Sequence, residues 1–199
     1  MSIAKYLVKT ARRIFVTADT HFGHHGALHA FARGHAGVEA MDAAMIEAIN
    51  ATVGPKDVLV HLGDFMGPCR WDAKVRQRAE EIRAAIHCRR LFLVRGNHDP
   101  EGERRFEALF EGTADIVSAR GIAGIDERVV LFHYPMEQWQ GRPNGGFHIH
   151  GHVHGHGASV ARRADAGIDV KDHAGRPREL VQLVAELRAT PPSGFVRVK

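Results

Sequence analysis

The chain is short of cysteine, short of aromatic residues and without any long apolar run. Its two cysteines, Cys69 and Cys88, lack CxxC spacing in 199 residues. They do not build a disulfide framework, and they suit a reducing, cytoplasmic setting in which both are buried or inert. The longest apolar run, around Val129 to Phe132, is strand-sized; no membrane-spanning helix is expected and the protein reads as soluble. Aromatic residues make up 7%, and the formal charge of +4 is spread over many arginines rather than gathered in a stripe. Such an excess admits an anionic partner, but concentrated basic residues interleaved with aromatics, the mark of a nucleic-acid surface, are missing. Residues 1–13 are basic and free of acids, yet Tyr6-Leu7-Val8 is too short for a signal-peptide core. Residues 1–12 are therefore expected to be an N-terminal extension packed on the domain edge.

No repeat or low-complexity tract divides the sequence. With 44% hydrophobic and 25% charged residues, residues 1–199 are expected to form a single domain with one sizeable core, residues 188–199 being a C-terminal tail. Arg13 to Ala18, Asp57 to Leu62 and Arg90 to Arg95 read as short apolar strands. Between them, Val38, Met41, Met45, Ile46 and Ile49 recur at helical spacing, as do Val75, Ala79, Ile82 and Ile86. The order is thus strand, helix, strand, helix, strand. A helix over Glu101 to Phe110 is predicted next, then strands at Ile116-Val117, Val129 to Phe132 and Phe147 to His150, and a closing helix from Arg178 to Leu187.

What the chain does have is five short blocks of Asp, Asn and His, each beside a glycine or at the end of an apolar run: Asp19-Thr-His21, Gly63-Asp64, Gly96-Asn-His-Asp99, His133 and Gly151-His-Val-His154. The first three follow predicted strands, at the carboxyl edge where α/β sheets bind ligands. Carboxylate, amide oxygen and neutral imidazole are the donors that hold two borderline divalent cations, the apparatus for displacing an oxygen at phosphorus. Turn chemistry alone accounts for any single block, since Asx and Gly residues terminate strands and cap helices. It does not require the accompanying histidines.

Taken in order, the blocks resemble the DxH, GD, GNH(D/E), H, GHxH signature of the calcineurin-like metallophosphoesterases. The likeness spans about residues 13–170. Asp19 to His24, His61 to Phe65 and His133-Tyr-Pro135 resemble a branch of small stand-alone bacterial and phage-type phosphoesterases. The resemblance implies an α/β fold, a four-layer αββα sandwich of two face-to-face sheets with helices outside. It implies two divalent transition-metal ions (Mn, Fe, Ni, Co or Zn): Asp19, His21 and His154 ligate one, Asn97, His133 and His152 the other, and Asp64 bridges them. It further implies hydrolysis of a small-molecule phosphomonoester or phosphodiester through a metal-bridging hydroxide, with His98 as acid and Asp99 as its partner. A nuclease or nucleotide phosphodiesterase acting on nucleotide or nucleic acid is the alternative, and a non-catalytic protein-binding scaffold of the same fold the third reading. No membrane partner is expected.

Among the remaining side chains, His61 is expected to support the network beneath Asp64. His24 and His25 lie in a loop overhanging the site, His148 and His150 on a half-buried strand, and His156 and His173 on the surface. Trp71, Tyr134 and Trp139 read as packing or as walls of the pocket. Arg33, Arg70 and Arg95 take no role from sequence. Segments 65–73 and 134–147 are the only candidates for a cap, which predicts an open site.

Overall fold

The computed structural model describes residues 1–67, 71–158 and 160–189, so Cys69 and Arg70 lie outside the described residues. In chain order the elements are α1 (Ile3–Lys9), β1 (Ile14–Thr17), α2 (His25–Ala30), α3 (Val38–Thr52), β2 (Val58–His61), α4 (Ala73–Ala85), β3 (Arg90–Val94), α5 (Arg104–Glu107), β4 (Thr113–Ala114), β5 (Ile116–Ile122), β6 (Ile125–Phe132), β7 (Phe147–His150), β8 (Arg163–Asp165), β9 (Arg178–Glu179) and α6 (Leu180–Ala189).

The first sheet has strand order β4-β3-β2-β1-β9, parallel except for β9, which runs antiparallel to β1. Strands β1, β2 and β3 are largely apolar without alternation because both faces are covered. Val16, Val60, Leu62, Phe92 and Val94 face the second sheet. Phe15, Leu59, Leu91 and Leu93 face the opposite way, against Met41, Met45 and Ile49 of α3 and Ala79 and Ile82 of α4. Helix α4 begins where the sequence lets it: Asp72 accepts the Lys74 and Val75 N–H groups at 3.0 Å, an N-cap worth about 1 kcal/mol.

The second sheet, β5-β6-β7-β8, starts with an antiparallel hairpin that turns at Gly124 (φ 83°) and continues with two parallel pairs. Val117, Ala119, Val129, Leu131, Phe147 and Ile149 from its inner face complete the core between the sheets. Helices α1 and α6 add Ile3, Leu7, Leu180, Leu183 and Val184 to that cluster. The architecture is the mixed α/β arrangement of two sheets flanked by helices that the resemblance implies.

The predicted helix over Glu101 to Phe110 shrinks to the single turn α5, because Gly102 takes φ 72° and breaks the preceding turn. The closing helix starts at Leu180; Arg178 and Glu179, expected inside it, pair instead with Phe15 and Val16. Cys88 is buried, as expected. His173, expected on the surface, is buried: a short 3-10 turn tucks it under the loop after β8, with Nδ1 3.1 Å from the Gly167 carbonyl oxygen.

His148 is more enclosed than a half-buried strand predicts. Its ring is fully buried on the outer face of β7, where the segment leading to Trp139 covers it. Nδ1 lies 3.2 Å from the Val130 carbonyl oxygen, and Nε2 lies 3.1 Å from both the Met136 backbone nitrogen and the Tyr134 carbonyl oxygen. Burial lowers its pKa to about 4. The unfolded chain, with an ordinary value near 6.5, then binds the extra proton first. Stability is full above about pH 6.5 and is lost as pH falls toward 4, on the order of 3 kcal/mol from this residue. Urea midpoints measured across that window should fall steeply with acidification, and His148→Gln should flatten the slope. An unchanged slope would reject the assignment.

Candidate metal centre

The five blocks follow the carboxyl ends of β1, β2, β3, β6 and β7, and the two sheets bring those ends together. Asp19 (φ 60°), His21 (φ 47°), Asp64 (φ 57°), His152 (φ 73°) and His154 (φ 49°) all adopt the left-handed region. For residues with a side chain such backbone costs about 1–3 kcal/mol each, and it persists only where surrounding contacts over-determine it. Here the blocks hold one another. Asp19 N–H donates to Gly63 O at 3.0 Å and His21 N–H to Asp64 O at 2.9 Å, while the His152 N–H points at the Asp19 carboxylate, 2.9 Å from Oδ2. Gly96 is required by this closeness, since a Cβ there would lie 2.3 Å from Asp64 Oδ1.

Asp64 sits at the middle. Its Oδ1 accepts the His98 N–H at 2.9 Å. Its Oδ2 lies 3.5 Å from His21 Nε2, 3.5 Å from His133 Nε2 and 3.9 Å from His98 Nε2. His133 Nε2 is also 3.0 Å from Asn97 Oδ1 and 3.2 Å from His152 Nδ1. Three sets present donor atoms within 4.8 Å of one another: Asp19, His21 and His154; Asp19, Asp64 and His133; and His21, Asp64 and His98. All seven residues expected to bind metal thus fall in one cluster.

The chemistry of the cluster fits a cation. Both ring nitrogens of His21 are buried without a hydrogen-bond partner among the described residues, an expensive state that metal coordination relieves. Burial, then the neighbouring His154 and Arg33, drives its pKa down to about 2, which keeps the ring neutral and its lone pair free. Burial also raises Asp19 well above the usual carboxylate range, with Asp165 and Asp64 adding repulsion. A positive ion among these carboxylates favours the charged form of Asp19 and holds the His21 ring neutral.

Asp99 departs from its expected part. Its Oδ2 accepts the Asp64 and Gly96 N–H groups at 2.9 and 2.8 Å, and Oδ1 accepts the Phe65 N–H at 2.9 Å. Both oxygens brace the two turns where they abut, so the carboxylate serves the backbone and not His98. Burial raises its pKa to about 6 against those hydrogen bonds. The His98 side chain is 34% exposed and meets the His21 ring edge-on at 5.0 Å. Beneath Asp64, the buried His61 places Nε2 3.0 Å from Thr20 Oγ1, and that hydroxyl donates to Phe65 O.

Other side chains sort by contact. Tyr134 is 38% exposed at the rim, its ring 4.7 Å from His152. Trp139 is packing, with its indole N–H donating to Gly146 O at 3.0 Å, and Trp71 meets Phe106 edge-on at 5.1 Å. His25 and His156 are exposed; His24 is partly covered, 5.6 Å from the His21 ring. Arg95 pairs with Glu107 and Asp115, away from the cluster. Arg33 is buried against the first block. Sequence reading missed Phe31, Asp165 and Asp169, which also touch the cluster or its backbone. No motif announces them, and Asp165 and Asp169 follow the last glycine-histidine block.

The family model for calcineurin-like phosphoesterases matches residues 12–156. The chain belongs to that family. An uncharacterised protein of Methanocaldococcus jannaschii is 28% identical over 143 residues, 72% of this chain and 70% of that protein. The crystal structure of a protein of unknown function from Aquifex aeolicus has a TM-score of 0.62 at 22% identity, over 88% of this chain and 99% of that one; the likeness is one of fold. All seven clustered residues lie inside the calcineurin-like phosphoesterase match, whereas Asp165 and Asp169 lie beyond it. Among the described residues, no helix of this family member is long and apolar enough to cross a membrane.

Proposed function

We propose that the protein is a metal-dependent hydrolase of small phosphomonoesters or phosphodiesters with a dinuclear centre. The observation that carries this reading is the Asp64 carboxylate lying 3.5 Å from two imidazoles that belong to different donor sets. Asp19, His21 and His154 would hold one divalent ion, Asn97, His133 and His152 the other, with Asp64 shared. Such a pair acidifies water and neutralises charge on a phosphoryl group. Mixed oxygen and nitrogen donors suit Mn, Fe, Co, Ni and Zn.

The rest of the work falls to the chain. The His98 N–H fixes Asp64 Oδ1, which leaves Oδ2 turned toward the histidines. Asp99 locks the two turns that carry Asp64 and Asn97. The His98 ring, partly exposed beside the cluster, would protonate a leaving oxygen. The test is a panel of chromogenic and nucleotide phosphoesters, run after reconstitution with each of the five metals. Turnover that depends on metal and is abolished by a chelator is expected; inactivity across the panel with every metal would overturn the reading.

A further inference from the structure

A buried chain of contacts runs from the segment after β8 back to the first block. The guanidinium of Arg33, whose side chain is 5% exposed, grips Asp169 through Nε to Oδ1 at 2.9 Å and Nη2 to Oδ2 at 2.8 Å. The same guanidinium donates from Nη1 to Thr20 O and from Nη2 to Asp19 O, both at 2.7 Å. Asp169 Oδ2 also lies 2.7 Å from His154 Nδ1. The His154 ring is sandwiched on its face by Phe31, with centroids 3.5 Å apart and planes 11° apart. Arg33 stands over that phenyl ring at 5.3 Å.

Each contact has a directional consequence. An imidazole that gives its Nδ1–H to a carboxylate has its tautomer fixed, and its free lone pair is at Nε2. The Phe31 stack removes rotation of the ring out of its plane. The Arg33 fork ties the same carboxylate to the carbonyls of the left-handed Asp19–Thr20 turn, so His154 and Asp19 are set by one rigid unit across 136 positions of sequence. A lysine could not make this unit, since it lacks the planar fork.

We propose that Arg33 and Asp169 are positioning residues for one half of the metal centre, acting through His154 and the Asp19 turn. The inference rests on the two-ion reading above. It assigns to this chain a supporting carboxylate from outside the span matched by the family model. Loss of such a partner lowers metal affinity about 10- to 100-fold, and here the loss falls on the ion held by Asp19, His21 and His154 alone.

The test titrates metal-free full-length protein with Co(II), following stoichiometry, the two affinities and the visible absorption of the bound ion. In Asp169→Asn, one of two sites should weaken about 10- to 100-fold with an altered spectrum, while the other keeps its affinity. Arg33→Lys should weaken the same site by less. Urea unfolding of the metal-free variants separates a general loss of structure, which would weaken both sites together and overturn the proposal. Wild-type affinity at both sites in Asp169→Asn would overturn it equally. Failure of the unaltered chain to bind two ions would remove the two-ion reading and this inference with it, and shows before any variant is made.

Discussion

Asp64→Asn is expected to leave a folded protein that has lost its metal and its turnover. Asparagine keeps the shape of the side chain and tolerates the left-handed backbone that Asp64 occupies at φ 57°. What it removes is the negative charge between His21 and His133, each 3.5 Å from Oδ2. Among the proposed ligands Asp19 is then the one carboxylate left, so a single negative side chain remains to hold two cations. Several kcal/mol of charge stabilisation are lost with the ions, which at about 1.4 kcal/mol per tenfold is roughly a thousandfold or more in rate. Elemental analysis of the purified variant decides the matter. Two retained ions per chain would end the bridging assignment.

His98→Ala is expected to do the opposite: to keep both ions and lose turnover. His98 is partly exposed, its Nε2 is 3.9 Å from Asp64 Oδ2, and Asp99 is taken up by backbone N–H groups. The ring is therefore free to meet substrate. General acid catalysis contributes about 10²- to 10⁴-fold, and its loss should be felt most with poor leaving groups, which need the proton, and least with nitrophenolate. The variant also separates two roles that the geometry permits, because His21, Asp64 and His98 together form a possible metal-binding set. Loss of one ion in His98→Ala would make His98 a ligand and not the acid.

The sequence carries the strands and the five blocks because both are local signals. An apolar run of β-branched residues ending in Asp or Gly-Asp names its own strand and turn, as at Val58–His61 followed by Gly63 and Asp64. What it does not carry is set by contacts distant in the chain. Arg33 and Asp169 form an ion pair across 136 positions, and neither lies in a motif. Asp99 is in a motif, yet its partners are decided by how closely the turn at Gly63 approaches the turn at Gly96. His173 looks exposed beside Asp172, and is buried only because the loop after β8 folds back over it. Strands β8 and β9 are three and two residues long, too short for any period to register; sheet pairing alone defines them.

The division of the blocks between the two sheets has a consequence for assembly. Asp19, His21, Asp64 and Asn97 come from the first sheet; His133, His152 and His154 come from the second. Above the core that the sheets share, the blocks are joined by the His152 N–H on Asp19, the His133 ring 2.8 Å from Leu62 O and 3.0 Å from Asn97, and the bridge from Ala18 to Gly167. A fragment ending before β5 would own the carboxylates without three of the imidazoles, and its complement the reverse. Ion uptake by mixed fragments is thus a gauge of sheet docking, one that stays silent when the strands form but meet one residue out of step.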